Sequence, residues 1–260
     1  MITIRSEREL ALLEEASQVV LETLELIEKA VTPGVTTEEL DRLAEAEIRR
    51  RGAKPAFLGY RGYPKTLCTS VNDEVVHGIP GKRILKNGDI VGVDCGAVVG
   101  GYFGDASRTL AVGTIDPEKA KLLEVTRRGL DAGIAAARPG NRVSDIGAAV
   151  EAVAIPHGYG VVRDFVGHGV GTALHEEPQI PNYGPAGRGS LLRAGMVIAI
   201  EPMFNLGRAE VSTDKDGWTV RTRDGSASAH FENTVAIEAD GAVVLGMGRL
   251  LRRASSAVAS

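Results

Sequence analysis

The sequence predicts an α+β protein built from two related halves that share one curved, mainly antiparallel sheet with helices on its outside. Three observations predict it. The order helix, helix, strands occurs twice. Two β-prone runs meet at Gly100-Gly101, the signature of a tight hairpin. An offset of 106 residues places Pro33 on Pro139, Gly34 on Gly140, Leu40 on Ile146, Glu45 on Glu151 and Gly52 on Gly158, while an offset of 107 places Leu85–Asp94 on Leu192–Glu201. Two long matches at nearly one offset argue for duplication, with halves at about 6–113 and 114–250, and a period this long excludes a solenoid.

The elements follow in order. Ser6 with Glu9 forms a capping box for a helix to about Ala30, whose Leu10, Leu13, Val20, Leu24 and Ile27 make one stripe. Thr32-Pro33-Gly34 ends it, and Thr37 is the expected cap of a second helix over about 38–51, with Leu40, Leu43, Ala44 and Ile48 inward. Asp116-Pro117 opens a third helix to about Ala137, with Pro at its first position. A fourth is expected over about 144–155. Strands are expected near 66–71, 90–99, 102–112, 160–166, 196–201, 217–223, 228–237 and 242–246. Helices grouped apart from strands give the α+β class. A single domain over 1–250 and a flexible tail over 251–260 complete the expected organisation.

Composition narrows the function. A net charge of −4 and a pI near 5.8 give no reason to expect nucleic-acid binding. No apolar run reaches the roughly 18 residues of a membrane span, and the N-terminal residues lack a signal-peptide core. Cys68 and Cys95 are the two cysteines, outside any metal-binding Cys pattern, which suits a reducing, cytoplasmic setting.

The chemistry centres on residues 88–109. With the turn at Gly100-Gly101, Val99 faces Tyr102 and Gly96 faces Asp105. Asp94 and Asp105 then share one face as diagonal neighbours, roughly 7–8 Å apart along the backbone. Two such charges are solvated, or share a proton, or hold a cation between them. Glu201 closes the apolar run Met196–Ile200 and precedes Pro202, and Glu232 lies within the run 228–237. His168 sits in Gly167-His-Gly-Val-Gly171 and His175 in Leu174-His-Glu-Glu-Pro178. A carboxylate at the end of a buried strand is costly unless paired or metal-bound. Four carboxylates and an imidazole suit two divalent cations about 3.5–4 Å apart, with Mn(II), Fe(II), Co(II) or Zn(II) fitting an oxygen-rich set. HExxH, Walker and G-x-S-x-G patterns are absent from the sequence.

The ordered segments Asn72–Pro80, Gly88–Asp94, Gly104-Asp105, Gly167–Gly171, His175–Pro178, Ile200–Met203 and Phe231–Val235 resemble type I methionine aminopeptidases, over about residues 5–247. The resemblance implies the pita-bread fold and a cytoplasmic, monomeric metalloprotease that removes N-terminal methionine from nascent chains when the second residue is small, in transient association with the ribosome. It implies five ligands: Asp94 on one metal, His168 and Glu201 on the other, Asp105 and Glu232 bridging. It gives His77 to the scissile amide and His175 to the carbonyl oxygen, and Glu201 is the candidate proton shuttle. Phe57, Tyr60, Tyr63, Cys68, Leu174 and Trp218 would form the methionine pocket. Three positions depart from the family pattern: Arg61 where His is frequent, Gly96 where Thr is frequent and Asn233 in place of His. A prolidase or aminopeptidase P of the same fold, and a non-catalytic binding protein of that fold, are the competing readings.

Overall fold

The computed structural model describes residues 2–248; the expected tail at 251–260 lies outside the described residues. The first half runs α1 (Glu7–Ala30), α2 (Thr37–Arg50), β1 (Lys54–Pro55), β2 (Leu67–Val71), β3 (Glu74–Val76), β4 (Ile90–Val99) and β5 (Tyr102–Ala111). The second runs α3 (Pro117–Ala136), α4 (Val143–Ala154), β6 (Gly160–Val161), β7 (Gly167–Gly169), β8 (Glu176–Ile180), β9 (Val197–Ile200), β10 (Met203–Asn205), β11 (Val211–Thr213), β12 (Val220–Thr222), β13 (Ser228–His230), β14 (Glu232–Glu238) and β15 (Gly241–Val244).

The helices begin where local chemistry starts them. Ser6 and Glu9 form the expected capping box of α1. Asp116 accepts from the Lys119 N–H at 2.8 Å, with Pro117 at the first helical position of α3. The cap of α2 is Thr36 and not Thr37: Thr36 and Glu39 make the reciprocal box, while the Thr37 hydroxyl turns inward to the Gly81 carbonyl. The two threonines are adjacent, and only the bonding partner tells them apart.

The main sheet has the order β1-β4-β5-β14-β9-β7-β8, with β2 also on β4 and β15 also on β14. Each half contributes a helix pair to the same side. Val20, Leu24 and Ile27 of α1 and Leu40, Ala44 and Ile48 of α2 pack on Val91, Val93 and Cys95 of β4. Leu122, Val125 and Leu130 of α3 and Ile146 and Val150 of α4 pack on Ile198, Ile200, Val235 and Ile237. Burying each of the Val, Leu and Ile side chains contributes roughly 1.5–3 kcal/mol. The same hydrogen bonds recur in both halves: Gly34 N–H donates to the Leu85 carbonyl and Gly140 N–H to the Leu192 carbonyl, and the isolated bridge Thr36–Ile84 returns as Arg142–Leu191.

The hairpin has the expected register, Val99 opposite Tyr102 and Gly96 opposite Asp105. Gly100 and Gly101 have φ of +57° and +86°, as a two-residue primed turn requires. Other strands differ from expectation. The run 160–166 is a strand only at 160–161, and its remainder loops toward the centre of the molecule. The run 228–237 breaks at Phe231, and 217–223 shortens to β12. Strands β1, β3, β7, β8, β10 and β11 have two to five residues, too few for most to produce a periodic signal. No helix of the described residues is long and apolar enough to cross a membrane.

Candidate metal centre and active site

Alternation along β4 sends Val91, Val93, Cys95 and Ala97 to the helices and leaves Asp94 on the opposite face. Cross-strand pairing then lines up one row: Cys68 faces Asp94, Asp94 faces Ser107, and Ser107 faces Glu232. Asp105 lies two residues from Ser107 on that face. Glu201 follows β9, where Pro202 ends the strand beside β14. Thus two carboxylates come from each half. The halves join directly through Glu232–Ser107 and Asn233–Ala106. Thr234 donates its hydroxyl to the Asp105 carbonyl at 2.8 Å, Thr109 donates to the His230 carbonyl at 2.8 Å, and Arg108 reaches the Glu232 carbonyl and Asn233 Oδ1.

These residues form the floor of a cavity of about 290 Å³. Asp94, Asp105, His168, Glu201 and Glu232 all line it, as do His77 and His175 and every expected pocket residue: Phe57, Tyr60, Tyr63, Cys68, Leu174 and Trp218. One ligand atom each from Asp105, His168 and Glu232 falls within 4.8 Å of the others. His168 Nε2 is 3.9 Å from Asp105 Oδ2 and 3.6 Å from Glu201 Oε1. Its Nδ1 is 3.0 Å from the Gly169 carbonyl, which accepts a hydrogen bond from Nδ1–H and so leaves the Nε2 lone pair toward the acids.

The electrostatics are those of a crowded, buried site. Burial pushes Asp94 up to about 7. Burial and then the Glu232 charge push Asp105 well above the carboxylate range; burial and the neighbouring acids do the same to Glu201 and Glu232. Burial holds His77 and His168 down to about 4, each with a smaller contribution from His175. Asp94 Oδ1, Asp105 Oδ1 and Glu232 Oε1 are buried without a hydrogen-bond partner among the described residues. Orphaned carboxylate oxygens converging from two halves fit hard or borderline divalent cations.

Residues 11–239 match the profile of metallopeptidase family M24. The chain belongs to that family. Its similarity to individual members of M24 is extensive. It is 51% identical to a methionine aminopeptidase of Clostridium acetobutylicum over 94% of this chain and 98% of that one. The crystal structure of a methionine aminopeptidase from Rickettsia prowazekii superposes with a TM-score of 0.94 at 42% identity, covering 95% of this chain and all of that one. A prolidase from Pyrococcus furiosus gives 0.74 at 25% identity and is covered over only 65% of its length. The M24 fold is the pita-bread α+β fold that the sequence predicts.

The walls of the cavity are apolar and ordered by contacts. Tyr63 stacks edge-on with Trp218 at 5.0 Å and donates to the Leu67 and Gly78 carbonyls. Burial keeps the Cys68 thiol protonated. His77, at φ +60°, meets Phe165 edge-on at 5.4 Å and holds a backbone conformation that costs energy. His175 lies 4.2 Å from His168 between ring centres, and its Nδ1 is 2.8 Å from the Tyr60 hydroxyl. Burial and the Arg61 charge lower the His175 pKa.

The three departures have separate explanations. A Cβ on Gly96 would stand 2.7 Å from the Phe57 ring, so the small residue makes room for the large one. Asn233 points away from the acids and accepts from Arg108. Arg61 is exposed, with its guanidinium 5.3 Å over the Tyr60 ring. Sequence reasoning missed His230, Val76, Asp164, Phe165 and Val166 among the lining residues. The first had a signal: it stands two residues before Glu232, the spacing that shares a strand face. Val76 ends the three-residue β3, and Asp164, Phe165 and Val166 fall in the loop that was read as a strand.

Proposed function

We propose that this chain is a methionine aminopeptidase, hydrolysing the first peptide bond of chains that begin with methionine and continue with a small residue. The observation that carries it is the set of orphaned buried carboxylates on the floor of an apolar cavity. The reading assigns Asp94 to one cation, His168 and Glu201 to a second, and Asp105 and Glu232 to both. Two divalent cations of the Co(II), Mn(II), Fe(II) or Zn(II) kind would supply Lewis acidity, making water nucleophilic near neutral pH and polarising the scissile carbonyl.

The side chains do the rest. Tyr63, Cys68, Leu174, Trp218 and Phe57 exclude water from around an unbranched thioether, and the protonated Cys68 thiol adds no charge there. Glu201, ionised when the cations are bound, would take the proton of the attacking water and return it to the leaving amine. The Tyr60 hydroxyl engages His175 Nδ1, leaving the Nε2–H as donor toward the carbonyl oxygen as negative charge develops. His77 is neutral at pH 7 and addresses the scissile amide. The chain acts as one catalytic domain over 1–250, as a monomer in the cytoplasm, on nascent chains during transient association with the ribosome.

Methionine release from Met-Ala-Ser tests the reading, using protein stripped of metal and refilled with Mn(II), Fe(II), Co(II) or Zn(II). Activity that returns on refilling, with Xaa-Pro peptides left uncut, is expected. Silence with every metal in folded protein would overturn it in favour of a binding protein, and Xaa-Pro cleavage would make it a prolidase.

A further inference from the structure

One imidazole in the cavity has neither a place in the five-ligand set nor a role toward the substrate. His230 ends β13, immediately before the break at Phe231, and is 3% exposed. Its backbone is fully committed: its N–H donates to Thr109 Oγ1 at 2.9 Å, its carbonyl accepts from the same hydroxyl, and Met203 faces it across the ladder. The ring is therefore aimed by the chain and not by a side-chain partner. Its Nε2 has no hydrogen-bond partner among the described residues. Native proteins rarely leave a buried polar nitrogen in that state.

What Nε2 faces is specific. It lies 3.8 Å from Glu201 Oε2 and 3.9 Å from Glu232 Oε2. Both distances exceed hydrogen-bond reach. They fall within the roughly 4.2 Å that two donors can span when each stands about 2.1 Å from one shared cation, a few tenths of an ångström wider than the tetrahedral separation. Glu201 itself lies between two imidazoles, with Oε1 3.6 Å from His168 Nε2 and Oε2 3.8 Å from His230 Nε2.

We propose that His230 is a sixth metal ligand, binding through Nε2 the cation held by His168 and Glu201; this rests on the dinuclear reading above. The two cation positions are then chemically unequal. The Asp94 position is all oxygen and suits Mn(II). The His168–His230 position has two nitrogens and favours Co(II) or Zn(II), so it fills first with those metals.

The test counts ligated imidazoles directly. A histidine bound through Nε2 keeps an exchangeable Nδ1–H, and one equivalent of Co(II) shifts that proton far outside the ordinary NMR window. Protein labelled with 15N-histidine and loaded with one Co(II) is expected to give two such signals. His230→Gln and His168→Gln should each give one, and His230→Gln should bind the first Co(II) at least about tenfold more weakly. Glutamine keeps an N–H donor, so a role limited to hydrogen bonding would leave the wild-type count at one and unchanged in His230→Gln. That result would overturn the proposal while leaving the aminopeptidase reading intact. Wild-type protein that binds no Co(II) would overturn both. The wild-type count stands even if a variant fails to fold.

Discussion

The hairpin β4–β5 and the strand pair β9–β14 present equivalent carboxylates by different means. The hairpin is unbroken, ten residues on each side, and projects two short aspartates from a regular ladder. The second pair is interrupted: β9 gives way at Glu201-Pro202, and β13 passes into β14 at Phe231. There the acids are glutamates, whose extra methylene reaches the same row from strand ends. Regularity fixes direction, and interruption admits other groups. Three of the four imidazoles lining the cavity, His168, His175 and His230, come from the interrupted half, and only His77 comes from the regular one.

Removing one acid from each half tests their equivalence most strongly. Asp105→Ala and Glu232→Ala should each lower kcat/KM on Met-Ala-Ser on the order of a thousandfold or more, with circular dichroism unchanged. A variant that keeps wild-type turnover would break the equivalence. The lone imidazole of the first half comes next. His77→Ala should cost roughly a hundredfold in kcat while metal content stays normal; an emptied site would move His77 among the ligands.

Proton linkage separates acids from imidazoles. In metal-stripped protein burial raises the pKa values of the carboxylates, to about 7 for Asp94 and well above the ordinary range for Asp105, Glu201 and Glu232. Their contribution is full below the unfolded value near 4 and is lost as pH rises through the folded value. The imidazoles act oppositely, because burial holds His77 and His168 at about 4 and His230 at about 3. Their contribution is full above about 6.5 and is lost as pH falls toward 4. Above pH 6.5 the imidazole contribution is complete while the carboxylates still lose protons, so the Tm of stripped protein should fall as pH rises from 6.5 to 8.5. Asp94→Asn should flatten that slope; a rising Tm would contradict the assignment.

Smaller effects lie in the departures. Gly96→Thr forces the Phe57 ring aside and should destabilise by about 1–3 kcal/mol. Adding Phe57→Ala should recover part of that loss, which a double-mutant cycle reads as coupling. Arg61→His should change stability by less than about 0.5 kcal/mol, since the side chain is exposed, and should act instead on turnover and its pH profile, because Arg61 lines the cavity and its charge lowers the His175 pKa.

The sequence was most readable where structure is most regular. Gly100-Gly101 and strict alternation gave the hairpin register, and with it the shared face of Asp94 and Asp105. The helices were readable because their caps are local, apart from the choice between Thr36 and Thr37. Glu201 was signalled by an apolar strand ending at proline. His230 was passed over because one strand was drawn through Phe231, where the chain breaks. Phe165 and Val166 were missed because residues 162–166 look like a strand in composition, yet serve as a wall of the cavity. Burial and unpaired oxygens have no sequence signature at all; they arise only when the halves meet.

That meeting sets a timetable. Thr234 reaches Asp105 across 129 residues of chain, and Thr109 reaches His230 across 121. Contacts so distant in sequence form after local ones, because long loops must close first. During synthesis the first hairpin can fold early, but it then offers only half of the acids. The remaining ones appear when residues 201 to 234 have emerged and docked. An unfinished or truncated chain that stops before Glu232 therefore lacks a complete centre, and the protein stays chemically silent until it is nearly whole.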